Sequence, residues 1–173
     1  MGKDGEFMSR SEALLQVERA LRRLALLYHF FAKTLAEELG EKRGAVLTRK
    51  AIDAYGTHIG HRARRRAEEL GLPLTPENFE SDLPDLAWQT ESVVIDGEQR
   101  VRVHHCPLAA EWIELGEAKT GRLYCFVDQA KMRGFNPDFD YLHLRNILEG
   151  DPYCELVVRP SRKTDSGEKR GEE

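Results

Sequence analysis

Apolar side chains recur every three or four residues from Ser11 onward, at Leu14, Val17, Leu21, Leu24, Tyr28, Phe31 and Leu35. This stripe predicts a long amphipathic helix, capped near Ser11-Glu12 and stopped by Gly40. A second helix is predicted from about Ala45 to Leu70, ended by Gly71 and Pro73. Gly56 and Gly60 lie inside it, each costing about 1 kcal/mol relative to Ala in a helix. They mark close packing against another element or the approach of a ligand to the backbone.

Beyond a proline-containing connection over 72–89, the pattern changes to strict alternation. "SVVI" and "RVRVHH" flank Asp96-Gly97, which predicts a β-hairpin. Pro107 opens a helix through Leu115, Gly116 to Gly121 forms a loop, and "RLYCFVDQAKMRG" forms one short helix. Two further strands surround Gly150-Asp151, with Leu142 and Leu144 on the first and Cys154, Leu156 and Val158 on the second. The expected fold is α+β: long N-terminal helices packed on a small antiparallel sheet of about four strands, with short inserted helices. Residues 1–160 form one domain, and the polar residues 161–173 form a disordered tail.

Composition narrows the function classes. The chain has 173 residues and a formal net charge of −4, so no overall basic field is present to hold nucleic acid. The arginines at 62, 64, 65 and 66 are followed by Glu68 and Glu69 and read as a solvated helix face. No apolar run approaches the roughly 20 residues of a membrane span. The first residues lack the apolar stretch of a signal peptide, which points to the cytoplasm. The apolar stripe of the first helix packs on the rest of the domain or, alternatively, pairs with a second copy in a homodimer.

Candidate chemistry gathers in "VHHCPLAAEW", where His104, His105 and Cys106 meet at a strand-to-helix junction. A helix N-terminus favours anions and thiolates. Cys125 and Asp128 lie three apart, and Cys154 follows Asp151 at the start of the last strand. The odd number of cysteines, three, argues against a disulfide framework. Three readings stand side by side. Cys106 is a nucleophile with His104 or His105 as its base and Asp128 relaying protons. Alternatively, the cysteines bind zinc or iron with His105 or Asp128. Or all three are small buried hydrophobes. Unbroken alternation to Cys106 puts His104 on its face, and a break at the histidine pair admits His105. His58 and His61 share one helix face at a spacing that also suits a metal.

Taken together, "YG…G" at Tyr55, Gly56 and Gly60, "HCPLAAEW", "YCFVDQAKMRGFNPDF" and "ILEGDPYCELVV" resemble the L-2-amino-thiazoline-4-carboxylic acid hydrolase family over about residues 10–160. The last motif is also similar to the end of vinyl-reductase-type domains, which implies a non-catalytic small-molecule or zinc-binding sensor as the alternative. The hydrolase resemblance implies opening of a thiazoline ring to N-carbamoyl-L-cysteine, by Cys106 thiolate or by a base-held water. It implies His105, Asp128 and Cys125 as catalytic partners of Cys106. It further implies His104, Asn136, Asp151, Cys154, Tyr55 and His58 around the substrate, and Lys131, Arg133 or Arg102 as a carboxylate clamp. No cofactor is assigned; zinc on Cys106, Cys125 and Cys154 is the metal alternative.

Overall fold

The structure, a computed structural model, describes residues 8–80, 82–84 and 86–162. Most of the tail expected to be disordered, and the first seven residues, lie outside the described residues. The two long helices are α1 (Arg10–Leu39) and α2 (Glu41–Glu69). Helix α1 is capped two residues earlier than Ser11 suggests, because Ser9 and Glu12 form a reciprocal capping box. Gly40, at φ +78°, both ends α1 and admits α2 at once, four residues before the predicted start.

The buried face of α1 is Leu21, Ala25, Tyr28, His29 and Ala32, whereas Phe31 is 67 % exposed beside exposed Leu27 and Phe30. The expected stripe therefore fails at Phe31. Helices α1 and α2 approach closely near their connection, where a Cβ on Gly44 would lie 2.6 Å from the Ala36 Cα. Small residues, Ala36 and Gly44, make that seam. No helix among the described residues is long and apolar enough to cross a membrane.

Strands β1 (Gln89–Ile95) and β2 (Glu98–His105) form the predicted hairpin, with Asp96 at φ 52° and Gly97 at φ 78° in the turn. These left-handed conformations match the twist of the strands. Helix α3 (Pro107–Glu114) follows as expected. The single helix expected over 122–134 is instead two, α4 (Ala118–Tyr124) and α5 (Val127–Phe135), broken at Cys125 and Phe126. Strands β3 (Phe139–Arg145) and β4 (Cys154–Pro160) complete an antiparallel sheet of order β1-β2-β4-β3. The fold is α+β, with helices on one face of this sheet.

The helices α1, α3 and α4 are joined to one another by aromatic packing. Trp112 is 1 % exposed, and its indole N–H donates to the Ala25 carbonyl at 3.0 Å. Tyr28 and Tyr124 pack edge-on against each other and against Trp112. Gly56 and Gly60 serve close packing: a Cβ on Gly56 would meet Ala130 Cβ at 2.6 Å and the Val127 carbonyl at 2.7 Å. Helix α5 is thereby held against α2, between it and the sheet. The other sheet face carries a charge ladder in which Glu155 bridges Arg100 and Arg102, and Glu98 bridges Arg100 and Arg159.

Candidate functional site

The register of the hairpin decides where the His-His-Cys run points. Thr90 pairs with Val103 and Gln89 with His105, so His104 is an extra residue in β2, a β-bulge. The parity of the strand changes there. Val103 and Cys106, three apart, both face the helices and line one cavity. His104 is on the outer face, its Nε2 3.2 Å from Glu91. His105 turns toward α1, its Nε2 3.7 Å from Glu18, in a surface depression with Arg10 and Trp88. Trp88 borders both this depression and the cavity. Neither histidine lines the cavity, contrary to both pairings that strand alternation allows.

The cavity, of about 90 Å³, lies between the sheet and α3, α4 and α5. Cys106, Cys125, Asp128 and Cys154 all line it, together with Lys131, His143 and Asn146. Each arrives by a different device. Cys106 is the N-cap of α3, its sulfur accepting from the Ala109 N–H at 3.4 Å. Cys125 sits in the break between α4 and α5, and Asp128 lies in the first turn of α5. Cys154 begins β4, its sulfur accepting from the Ile147 N–H at 3.4 Å. His143 is inward-facing on β3, immediately before a second bulge at Leu144.

Burial pushes the Cys106 and Cys125 thiols up to about 12. For Cys106, the Ala109 N–H at the start of α3 opposes that shift but is outweighed. The expected helix-terminus activation is therefore overridden by desolvation. Cys154 is also raised, again chiefly by burial. All three stand as thiols near neutral pH. Burial likewise raises the Tyr124 and Tyr141 phenols.

The polar groups form a chain. Asn146, fully buried, accepts the Leu148 N–H on Oδ1 at 2.9 Å. Its Nδ2 donates to His143 Nδ1 at 3.2 Å and also to the Cys125 sulfur. His143 Nε2 lies 3.1 Å from Asp128 Oδ2. Lys131 is 8 % exposed and meets Asp82 Oδ1 at 2.6 Å. Of the three cations singled out as carboxylate clamps, Lys131 alone is in the cavity lining. Arg133 pairs with Asp53, and Arg102 pairs with Glu155 on the outer sheet face.

The remaining sequence candidates are placed elsewhere. Asn136 caps the end of α5, donating to the Leu74 carbonyl at 2.7 Å and accepting from the Asp138 N–H at 2.9 Å. Asp151 accepts the Asn146 backbone N–H at 2.8 Å, so it supports the cavity from behind. Tyr55 is 41 % exposed and hydrogen-bonded to Tyr124, one residue removed from the lining. His58 and His61 lie in a surface depression with Lys50 and Asp53. Among the described residues, no group of three or more His, Cys, Asp or Glu side chains is arranged to hold a metal ion. His143 and Asn146 are the polar lining residues that sequence reading passed over. Their signal was a histidine at the inward position of "FDYLH", two residues beyond Tyr141.

Fold and cavity together define an α+β protein whose interior, between helices and sheet, joins thiols to a carboxylate–imidazole–amide chain. The chain belongs to the L-2-amino-thiazoline-4-carboxylic acid hydrolase family, whose model matches residues 19–158. That span contains every residue of the cavity lining. No curated protein and no solved structure gives a match to the chain.

Proposed function

We propose that the protein is a hydrolase that opens a small cyclic amidine bearing a carboxylate, of the 2-amino-thiazoline-4-carboxylate type, to N-carbamoyl-L-cysteine. The observation that carries this reading is the meeting of Asp128, a carboxylate able to accept a proton, and Lys131, a cation, in one largely apolar cavity. Lys131 holds the substrate carboxylate in place of Asp82, and the apolar and thiol walls receive the sulfur-containing ring. The mainly apolar lining strengthens both electrostatic contacts.

Asp128 removes a proton from water as the water oxygen bonds to the ring carbon between nitrogen and sulfur. The carboxylic acid so formed returns that proton to the ring sulfur as the C–S bond breaks. The second water proton passes to the ring nitrogen as the carbonyl forms, so one water is consumed and one thiol is released. Cys106, Cys125 and Cys154 are protonated wall groups in this scheme, because attack by sulfur needs a thiolate and burial opposes one at Cys106 and Cys125. The experiment is to incubate the full chain with 2-amino-thiazoline-4-carboxylate and follow free thiol. Release of one thiol per substrate is expected, with Lys131→Met raising KM more than it lowers kcat. Absence of thiol release by the wild-type chain refutes the proposal.

A further inference from the structure

We infer that His143 is the positioning residue of this site, held by Asn146 as its Nε2–H tautomer so that it aims the Asp128 carboxylate into the cavity. The inference rests on the hydrolase reading for the role of Asp128, but the tautomer follows from the hydrogen bonds themselves.

A backbone N–H can only donate. The Asn146 atom 2.9 Å from the Leu148 N–H is therefore the carbonyl oxygen, which settles the orientation of the amide. The amide nitrogen then faces His143 Nδ1 at 3.2 Å. An amide nitrogen also only donates, so Nδ1 is the acceptor and carries no proton. The ring proton is on Nε2, directed at Asp128 Oδ2 at 3.1 Å. The opposite ring tautomer would need the Asn146 amide flipped to accept from Nδ1–H, which breaks the Leu148 bond inside a site where Asn146 has no exposed surface. The Asp151 carboxylate secures the same residue by its backbone N–H.

The order of parts is unusual for a carboxylate–imidazole pair. In a Ser-His-Asp triad the carboxylate orients the imidazole, which does the proton transfer. Here a buried amide orients the imidazole, and the imidazole occupies one oxygen of the carboxylate. His143 has its two ring nitrogens engaged and its side chain 6 % exposed, so it is not free to meet a water. Asp128 keeps its second oxygen for the proton of the attacking water.

The test uses the full chain labelled with ¹⁵N-histidine, the His143 signals being assigned by their loss in His143→Gln. Ring nitrogen shifts showing Nε2–H are expected, and a Nδ1–H ring overturns the inference. A second arm compares turnover of 2-amino-thiazoline-4-carboxylate. His143→Gln places an amide N–H where Nε2–H stood and is expected to keep kcat within about tenfold, whereas His143→Leu loses about a hundredfold or more at similar KM. Equal loss in both variants, or no loss in His143→Leu, overturns the positioning role. If His143→Leu does not fold, the nitrogen shifts together with His143→Gln decide. A wild-type chain without turnover refutes the hydrolase reading, while the nitrogen shifts still report the tautomer.

Discussion

Helix α5 supplies both Asp128 and Lys131, and its position depends on two glycines of the neighbouring helix. Gly60→Ala tests this dependence. The added methyl would fall on the Lys131 carbonyl and 2.8 Å from the Phe135 nitrogen. Both obstacles are backbone, so no side-chain rotation relieves them and the two helices must separate. Overpacking of this kind costs about 1–3 kcal/mol, against a helix-propensity gain of about 1 kcal/mol from Gly to Ala. A net loss of up to about 2 kcal/mol in urea denaturation is expected. Displacing Asp128 and Lys131 by about 1 Å should also lower kcat/KM of the folded protein by about a hundredfold.

Gly44→Ala is the matched control. Its methyl would meet the Ala36 backbone at 2.6 Å, a comparable clash, but at the α1–α2 seam away from the cavity lining. It is expected to lose similar stability while its folded fraction keeps wild-type turnover. A Gly60→Ala protein more stable than wild type by about 1 kcal/mol, as propensity alone dictates, refutes the packing argument. Equal loss of turnover in the two variants refutes the link from packing to site.

Two further outcomes concern titration. Raising Cys106 and Cys125 from 9.0 to about 12 leaves roughly a thousandfold fewer thiolates at pH 8. Iodoacetamide should label them far more slowly in the native chain than in urea, and equal rates refute the burial argument. Because the folded values are raised, the stability they contribute is complete below pH 9, the unfolded value, and is lost as pH rises through 9 toward 12. At the acid end, hydrogen bonding from Arg159 lowers Glu98 from 4.5 to about 2. A depressed carboxylate contributes stability above pH 4.5 that is lost as pH falls toward 2, so Glu98→Gln should flatten the acid limb of an unfolding profile. An unchanged limb contradicts it.

The elements legible in the sequence were those with strong local punctuation. Asp96-Gly97 between alternating segments fixed the hairpin, and Pro107 after the strand fixed the start of α3. Gly56 and Gly60 announced close packing, though not which helix they meet. The break at Cys125-Phe126 carries no glycine or proline, so α4 and α5 read as one helix. The cavity residues Cys106, Cys125, Asp128 and Cys154 stood out by residue type. Their partners did not, because partner choice depends on register. One extra residue at His104 turns both adjacent histidines from the cavity, and only the pairing of β1 with β2 reveals it. His143 and Asn146 were hidden for the opposite reason: each looks ordinary until β3 and the turn after it are folded beside α5.

The most direct measurement of the central claim is kcat/KM for thiol release from 2-amino-thiazoline-4-carboxylate by Asp128→Asn beside the wild type. The amide is nearly the same shape but is a far weaker proton acceptor than a carboxylate. A loss of about a hundredfold to ten-thousandfold is expected, with substrate binding retained. Turnover by Asp128→Asn within a few-fold of wild type would contradict the assignment of Asp128 as the base.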